Sequence, residues 1–281
     1  MNNIRFIKTI AKDLLRRYDK HQLKHISGSL AYFFTLVIFP LFIFIQAVLG
    51  LFGVGLTAFL ETLENVVPSN VYELLNTYVQ SISGENIGLL SFGLISALYA
   101  SSIALNSIMN AVLLAYNQKS RHSWFYNKAL AIFFTILLGA SMSLFLIVPV
   151  LGSVILPTIK LYLPDLVELF NLISTLSWLL SATAIAATLA LLYKIVPEKE
   201  QKGSIWPGAI FALIGWLIGS SGFAFYVNTF ANFSTYGFFG SIMVFLLWLY
   251  ITGLMIILGA ELNDSLDQHR MKKEKTDAIS E

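Results

Sequence analysis

The chain has 281 residues, of which 57% are hydrophobic, 14% aromatic and only 12% charged, with a formal net charge of +2 and no cysteine. Soluble domains carry about 25% charged residues because a wet surface needs them, so this composition excludes a free-standing soluble globule as well as disordered, collagenous and disulfide-framed chains. A mean hydropathy of +0.73 points to an integral membrane protein, and the missing cysteines remove thiolate metal sites and cysteine nucleophiles.

Residues 3–21 set Ile4, Ile7, Ala11, Leu14 and Tyr18 on one helical face and Arg5, Lys8, Lys12, Arg16 and Lys20 largely on another. That pattern predicts an amphipathic helix on the cytoplasmic leaflet, its basic residues being candidates for contact with anionic lipid head groups. A solvated helix packed on the protein's own loops fits the same spacing. Residues 27–60 then hold no Asp, Glu, Lys, Arg or His, and about 20 mostly apolar residues suffice to cross a bilayer, which predicts a first span over 27–50. The run starts too late and is too long for a signal peptide, so it is expected in the mature protein. Residues 55–83 carry Leu56, Phe59, Leu60 and Leu63, then Val71, Leu74, Leu75, Tyr78 and Ile82, interrupted at Val67-Pro68-Ser69. Two short amphipathic helices resting on the outer membrane interface are expected there.

Further charge-free stretches at 86–118, 129–159, 169–193 and 203–260 predict spans over 88–116, 129–156, 171–195, 207–230 and 238–262. The last two are split at the polar break 228–237. Barrel strands would read as segments of about 10 residues alternating apolar and polar, and none is seen. The predicted fold class is therefore all-α, a six-helix transmembrane bundle forming one membrane domain over 1–281. Its parts are a cytoplasmic segment at 1–26, the bundle at 27–262 and a tail at 263–281.

Charge sorts by side. The segments expected on one face hold 17 of the 18 Lys and Arg residues and carry a net +7, whereas those on the other carry −5. Because basic residues mark the cytoplasmic side, both termini are expected in the cytoplasm. Inside the spans, helices in lipid rely on close packing of small residues. Three stripes supply it: Gly208, Ala212, Gly215, Gly219 and Gly222; Gly93, Ala97, Ala100, Ala104, Ser107, Ala111 and Ala115; and Ser174, Ser177, Ser181, Ala184 and Thr188.

Polar groups within a span are costly and so need a reason. No Asp, Glu, Lys, Arg or His lies mid-span, and Glu261 is placed at the end of the last helix, where it is expected to reach water. That disfavours a proton relay and excludes a voltage sensor. Tyr99, Ser102, Asn106 and Asn110 follow one face of the second span, with Asn117 beyond it. Such a row either lines a substrate path or hydrogen-bonds a neighbouring helix, and Gln46 and Asn228 could face the same interior. Kinks at Pro40 and Pro149 could open a cavity there. No phosphate-binding loop, HExxH or GxSxG occurs, and the four histidines complete no metal pattern. No enzyme activity, metal, cofactor or nucleic-acid partner is expected.

The strings SGSLAYFFTLVIFPLF (27–42), ALNSIMNAVLLAYN (104–117), LYKIVP (192–197), WPGA (206–209) and YGFFGSIMVFLLWLYITGLMIILGAELN (236–263) resemble the YihY/BrkB family of bacterial inner-membrane proteins across nearly the whole chain. The resemblance implies a six-helix protein of the bacterial plasma membrane. It also implies two functional ideas: an old label of ribonuclease BN, and a role in envelope biology that includes lipid or lipopolysaccharide transport. The residues give the nuclease no metal cluster or acid–base pair. Transport or flipping of a lipid or amphipathic envelope molecule is the expected function, with membrane lipids as partners. A non-transporting scaffold of envelope biogenesis and, behind it, a membrane-tethered ribonuclease stand as alternatives, and a homo-oligomer or an envelope protein could be a further partner.

Overall fold

Every described element is an α-helix, the form in which a segment satisfies its own backbone polar groups without water. The computed structural model describes residues 2–51, 60, 69–82, 87–120, 122–141, 166–198, 203–230 and 237–280. In chain order the helices are α1 (Asn2–Lys20), α2 (Leu23–Leu51), α3 (Ser69–Ile82) and α4 (Ile87–Ala115). They continue with α5 (Trp124–Ser141), α6 (Leu166–Ile195), α7 (Trp206–Phe230) and α8 (Gly237–Ser280). Among the described residues, four helical stretches are long and apolar enough to cross a membrane: Leu98–Ala115, Trp124–Ser141, Trp206–Val227 and Phe239–Lys272. Two shorter apolar stretches, Leu23–Ile38 and Leu179–Ile195, fall on the expected first and fourth spans. The far half of the third span and the first of the two short outer helices lie outside the described residues.

The break between α7 and α8 falls where the polar run 228–237 interrupts the longest charge-free stretch. Across it the two helices run back along each other with small residues at their contact. A methyl group on Gly208 would meet the Gly259 carbonyl oxygen, and one on Gly259 would lie 2.6 Å from the Gly208 carbonyl and 2.9 Å from the Ala212 Cβ. Met255 and Ile251 fill the spaces beside Gly215 and Gly219. Asn263 closes the seam: its Oδ1 accepts from the Gly208 N–H at 2.8 Å and its Nδ2 donates to the Ile205 carbonyl at 2.9 Å. The first bond satisfies an N–H at the start of α7 that has no partner within the helix, and the second adds a donor to a carbonyl that also accepts from the Ala209 N–H. The Tyr193 hydroxyl, fully buried, donates to the Ile256 carbonyl at 2.7 Å and ties α6 to α8. The Gly208–Gly219 stripe thus works as a packing face.

One apolar core joins Leu23 and Leu30 of α2, Ile108 and Val112 of α4, Phe134 of α5, Leu192 of α6 and Ile257 of α8. A second joins Val71 and Leu75 of α3 to Phe223 and Val227 of α7 and to Phe245 and Leu249 of α8. The apolar face expected to rest on the outer interface is, at Val71 and Leu75, in protein instead. Burying it there removes it from water as effectively, and adds van der Waals contacts that mobile lipid tails do not hold in place.

Two features where α1 meets α8 also differ from expectation. Ile7 is 65% exposed, while Ile10, Arg17 and His21 turn inward, so the helix presents to α8 a mixed face rather than an apolar one. Glu261, expected to reach water, is fully buried. The two changes have one cause, since the inward side chains of α1 are the partners of Glu261.

Candidate functional site

The corner between α1 and α2 sets up the first of two polar groupings. His21 N–H donates to the Arg17 carbonyl and Gln22 N–H to that of Asp19, ending α1, and Gln22 takes the left-handed conformation at φ 52°. The chain turns within two residues, and α1 is laid against the extension of α8. Asp13 and Arg17 stand four apart on α1, with His21 four further on at the turn that follows it; Glu261, Asp264 and Ser265 stand three and one apart on α8. Each set shares a helical face.

Arg17 is the centre of this knot. Its Nε donates to Asp13 Oδ2 at 2.8 Å, and its Nη1 donates to Glu261 Oε2 at 3.1 Å and Asp264 Oδ2 at 2.6 Å. His21 Nδ1 lies 2.5 Å from Glu261 Oε1, and Ser265 Oγ donates to Asp13 Oδ2 at 2.8 Å. Gln268 Nε2 donates to Asp264 Oδ2 at 2.7 Å. Burial pushes the Asp13 carboxyl up, but the Ser265 hydroxyl and the Arg17 guanidinium outweigh it and hold the group down at about 2. Burial acts against the charged Arg17, and the three carboxylates reverse that, raising it above its ordinary value. His21 Nε2 is buried with no hydrogen-bond partner. Among the described residues no three His, Asp or Glu side chains are placed to hold a metal ion. The knot is suited to fastening one helix to another.

The second grouping is the row predicted on α4. The structure separates its members. Ser102 is 1% exposed, whereas Tyr99 is 64% exposed and Asn106 and Asn110 are exposed along the same flank. Neither asparagine makes a side-chain hydrogen bond to the described residues. Gln46 and Asn228 sit on α2 and α7, but their side chains lie outside the described residues. Of the basic row on α1, Lys8, Lys12, Arg16 and Lys20 are exposed; the surroundings of Arg5 lie outside the description.

What brings Tyr99 and Ser102 together is a residue one position before the span expected over 129–156. Lys128, in the second turn of α5, donates to Ser102 Oγ at 2.5 Å and sits 4.8 Å from the centre of the Tyr99 ring. The Ser102 hydroxyl in turn donates to the Tyr99 carbonyl at 2.7 Å. Beside Tyr99, between α2 and α4, a groove of about 290 Å³ is lined by Phe33, Leu36, Ser96, Tyr99, Ala100 and Ile103. A signal for Lys128 was present: it follows Trp124-Phe125-Tyr126, an aromatic cluster of the kind that marks a membrane interface. The knot also had one, in the i,i+4 spacing of Asp13, Arg17 and His21.

Comparison with known proteins gives a consistent picture. The family model described as Virulence factor BrkB matches residues 14–281. The ribonuclease-like protein YfkH of Bacillus subtilis (strain 168) is 34% identical over 265 residues, covering 93% of this chain and 96% of YfkH. The UPF0761 membrane protein MS0032 of Mannheimia succiniciproducens is 26% identical, covering 92% of this chain and 89% of that protein. The UPF0761 membrane protein RSc1559 of Ralstonia nicotianae is also 26% identical; the match covers 94% of this chain but 60% of the longer relative. No solved structure matches the chain significantly.

Proposed function

This chain belongs to the virulence factor BrkB family of membrane proteins, and on that premise we propose that it moves a lipid or another amphipathic envelope molecule along the outward flank of α4. One observation carries the reading: Tyr99, Asn106 and Asn110 are exposed on a helix long and apolar enough to cross a membrane. An unpartnered amide facing hydrocarbon is costly. A polar head group passing along this flank would satisfy it while the acyl chains stay in lipid. The path is lateral, not a pore through the bundle. The proposed topology has six spans with both termini on the cytoplasmic side of a bacterial plasma membrane, supported by the sorting of 17 basic residues to one face.

The test uses full-length protein in vesicles that carry a fluorescent phospholipid, with bleaching of the outer leaflet as the readout. Movement between leaflets at least tenfold above protein-free vesicles is expected, and the double variant Asn106→Leu/Asn110→Leu should abolish it without unfolding the protein. Equal rates with and without protein would end the proposal. A scaffold reading is favoured by a different observation, the exposed row Lys8, Lys12, Arg16 and Lys20 on a helix that the knot holds in place; it predicts no lipid movement. The ribonuclease-like name of YfkH suggests a third reading, for which metal-dependent RNA cleavage by the purified protein is the test.

A further inference from the structure

The most informative feature outside the asparagine row is a cation without an anion. Lys128 has a hydroxyl and an aromatic face as neighbours, and among the described residues no carboxylate pairs with it. The other buried or half-buried cation described above, Arg17, is matched by three carboxylates. A lysine near a membrane interface ordinarily extends its ammonium toward water. Lys128 instead turns its ammonium onto Ser102, a residue 13 positions inside the end of α4. At 1.5 Å per residue, that is roughly 20 Å along the helix.

Trp124, Phe125 and Tyr126, exposed by 68%, 78% and 44%, form the first turn of α5, and aromatic residues so placed favour the head-group level of a bilayer. Lys128 lies one turn further along α5, and its ammonium reaches Ser102 within the apolar stretch Leu98–Ala115 of α4. Directly beside its partner Tyr99 runs the apolar groove between α2 and α4, walled by Phe33, Leu36, Ala100 and Ile103. Leu36 and Tyr99 are exposed by 46% and 64%, so the groove faces outward. A positive charge with no carboxylate beside it among the described residues, adjoining an outward-facing apolar groove, matches one kind of ligand.

The geometry points to a binding site for an anionic phospholipid, whose phosphate pairs with Lys128 and whose acyl chain lies in the Phe33–Leu36–Tyr99–Ile103 groove. The Ser102 hydroxyl and the Tyr99 ring hold the ammonium in place before the lipid arrives. That reduces the ordering cost of binding, and the low-dielectric surroundings strengthen the ion pair once it forms. Phosphatidylglycerol satisfies both requirements. Phosphatidylcholine presents the same phosphate with a compensating cation, which leaves it without net charge for Lys128 to select. The inference deepens the lipid-handling role proposed above by naming its substrate class, and rests on that reading for the membrane setting.

Native mass spectrometry of full-length protein, reconstituted in nanodiscs of equal parts phosphatidylglycerol and phosphatidylcholine and then released, counts the lipids that stay bound. The expected result is at least a tenfold preference for phosphatidylglycerol in the first retained lipid. Lys128→Gln, which keeps a donor for Ser102 and removes the charge, should bring the preference close to one; Lys128→Arg should keep it. Ile103→Trp, which fills the groove, should lower retention of both lipids. A preference unchanged in Lys128→Gln overturns the site, as does equal retention of the two lipids by the natural chain. Retained phosphatidylglycerol together with no movement of labelled lipid between leaflets would sink transport and leave this site standing. Movement that persists in Lys128→Gln, with no lipid preference in either protein, would do the reverse.

Discussion

Polar side chains occur in this membrane protein in two opposite conditions. In the knot, Asp13, Arg17, Glu261, Asp264 and Ser265 are held together by hydrogen bonds of 2.6–3.1 Å supplied by the chain itself. On the flank of α4, Asn106 and Asn110 are exposed and make no such bond among the described residues. The difference separates two uses of polarity. Where the protein provides every partner, the group fastens; where it provides none, the partner must come from outside. By this criterion Arg17, bonded to three carboxylates, belongs to architecture and the quieter asparagines to the candidate site, joined by Lys128, whose hydroxyl and ring neighbours leave its charge unmatched among the described residues.

The comparison is broken most severely by removing the centre of the knot. Arg17→Ala leaves Glu261 and Asp264 buried beside each other without the guanidinium that bonds both. Removing one partner of a buried ion pair costs about 3–5 kcal/mol. The expected outcome is a large drop in melting temperature in detergent, with α1 released from α8. Hydrogen exchange in residues 2–20 would show the release as loss of protection. A melting temperature within one or two degrees of the natural chain would mean that the knot does not fasten α1.

A smaller effect is expected at the α7–α8 seam, where packing rather than charge does the fastening. A methyl group at Gly259 would face the Gly208 carbonyl, the Tyr193 hydroxyl and the Ala212 Cβ at 2.6, 2.6 and 2.9 Å. Two of these contacts are on α7 and cannot rotate away. Overpacking of this kind costs about 1–3 kcal/mol, so Gly259→Ala should lower the thermal midpoint less than Arg17→Ala does. Gly222→Ala, where nothing lies within 4 Å, is the control and should leave it unchanged.

Acid tests the knot from another direction. The Asp13 carboxyl titrates at about 2 in the folded chain against an ordinary 3.8. A depressed carboxylate stabilises the fold above its unfolded value, and that contribution is lost as pH falls through the folded one. The contribution of Asp13 to docking of α1 should therefore be constant down to about pH 4 and fade between about 4 and 2. Asp13→Asn should remove this part of the acid sensitivity, read as a flatter dependence of α1 exchange on pH.

How much of this was legible beforehand follows from which forces act locally. The charge-free stretches and the break at 228–237 mark α7 and α8 directly, because a lipid solvent screens every residue in a span for polarity. The Gly208–Gly219 stripe is legible for the same kind of reason: a contact face repeats along one helix. The knot was not, because its pairs lie 240 to 252 positions apart, and nothing on α1 says which helix its Arg17 will meet. The row on α4 was half legible. Periodicity placed Tyr99, Ser102, Asn106 and Asn110 on a common side of the helix, but whether that side meets protein or lipid depends on where α2 and α5 pack, which no single-helix pattern contains.

The gentlest way to sharpen the comparison acts on the corner that brings α1 to α8. Gln22 adopts φ 52°, a conformation that costs a residue with a side chain about 1–2 kcal/mol because its Cβ approaches the following carbonyl. Glycine adopts it freely, but gives back part of the gain through the entropy of the unfolded chain. The balance for Gln22→Gly is a stabilisation of about 0.5–1 kcal/mol, provided the corner forms only when the knot is closed. That proviso makes the variant informative. In the natural chain Gln22→Gly should raise the protection of α1 slightly, whereas combined with Arg17→Ala it should restore little of what was lost, since a relaxed corner does not replace three carboxylate contacts. Full recovery of α1 protection in the double variant would show that the corner, and not the knot, positions this helix.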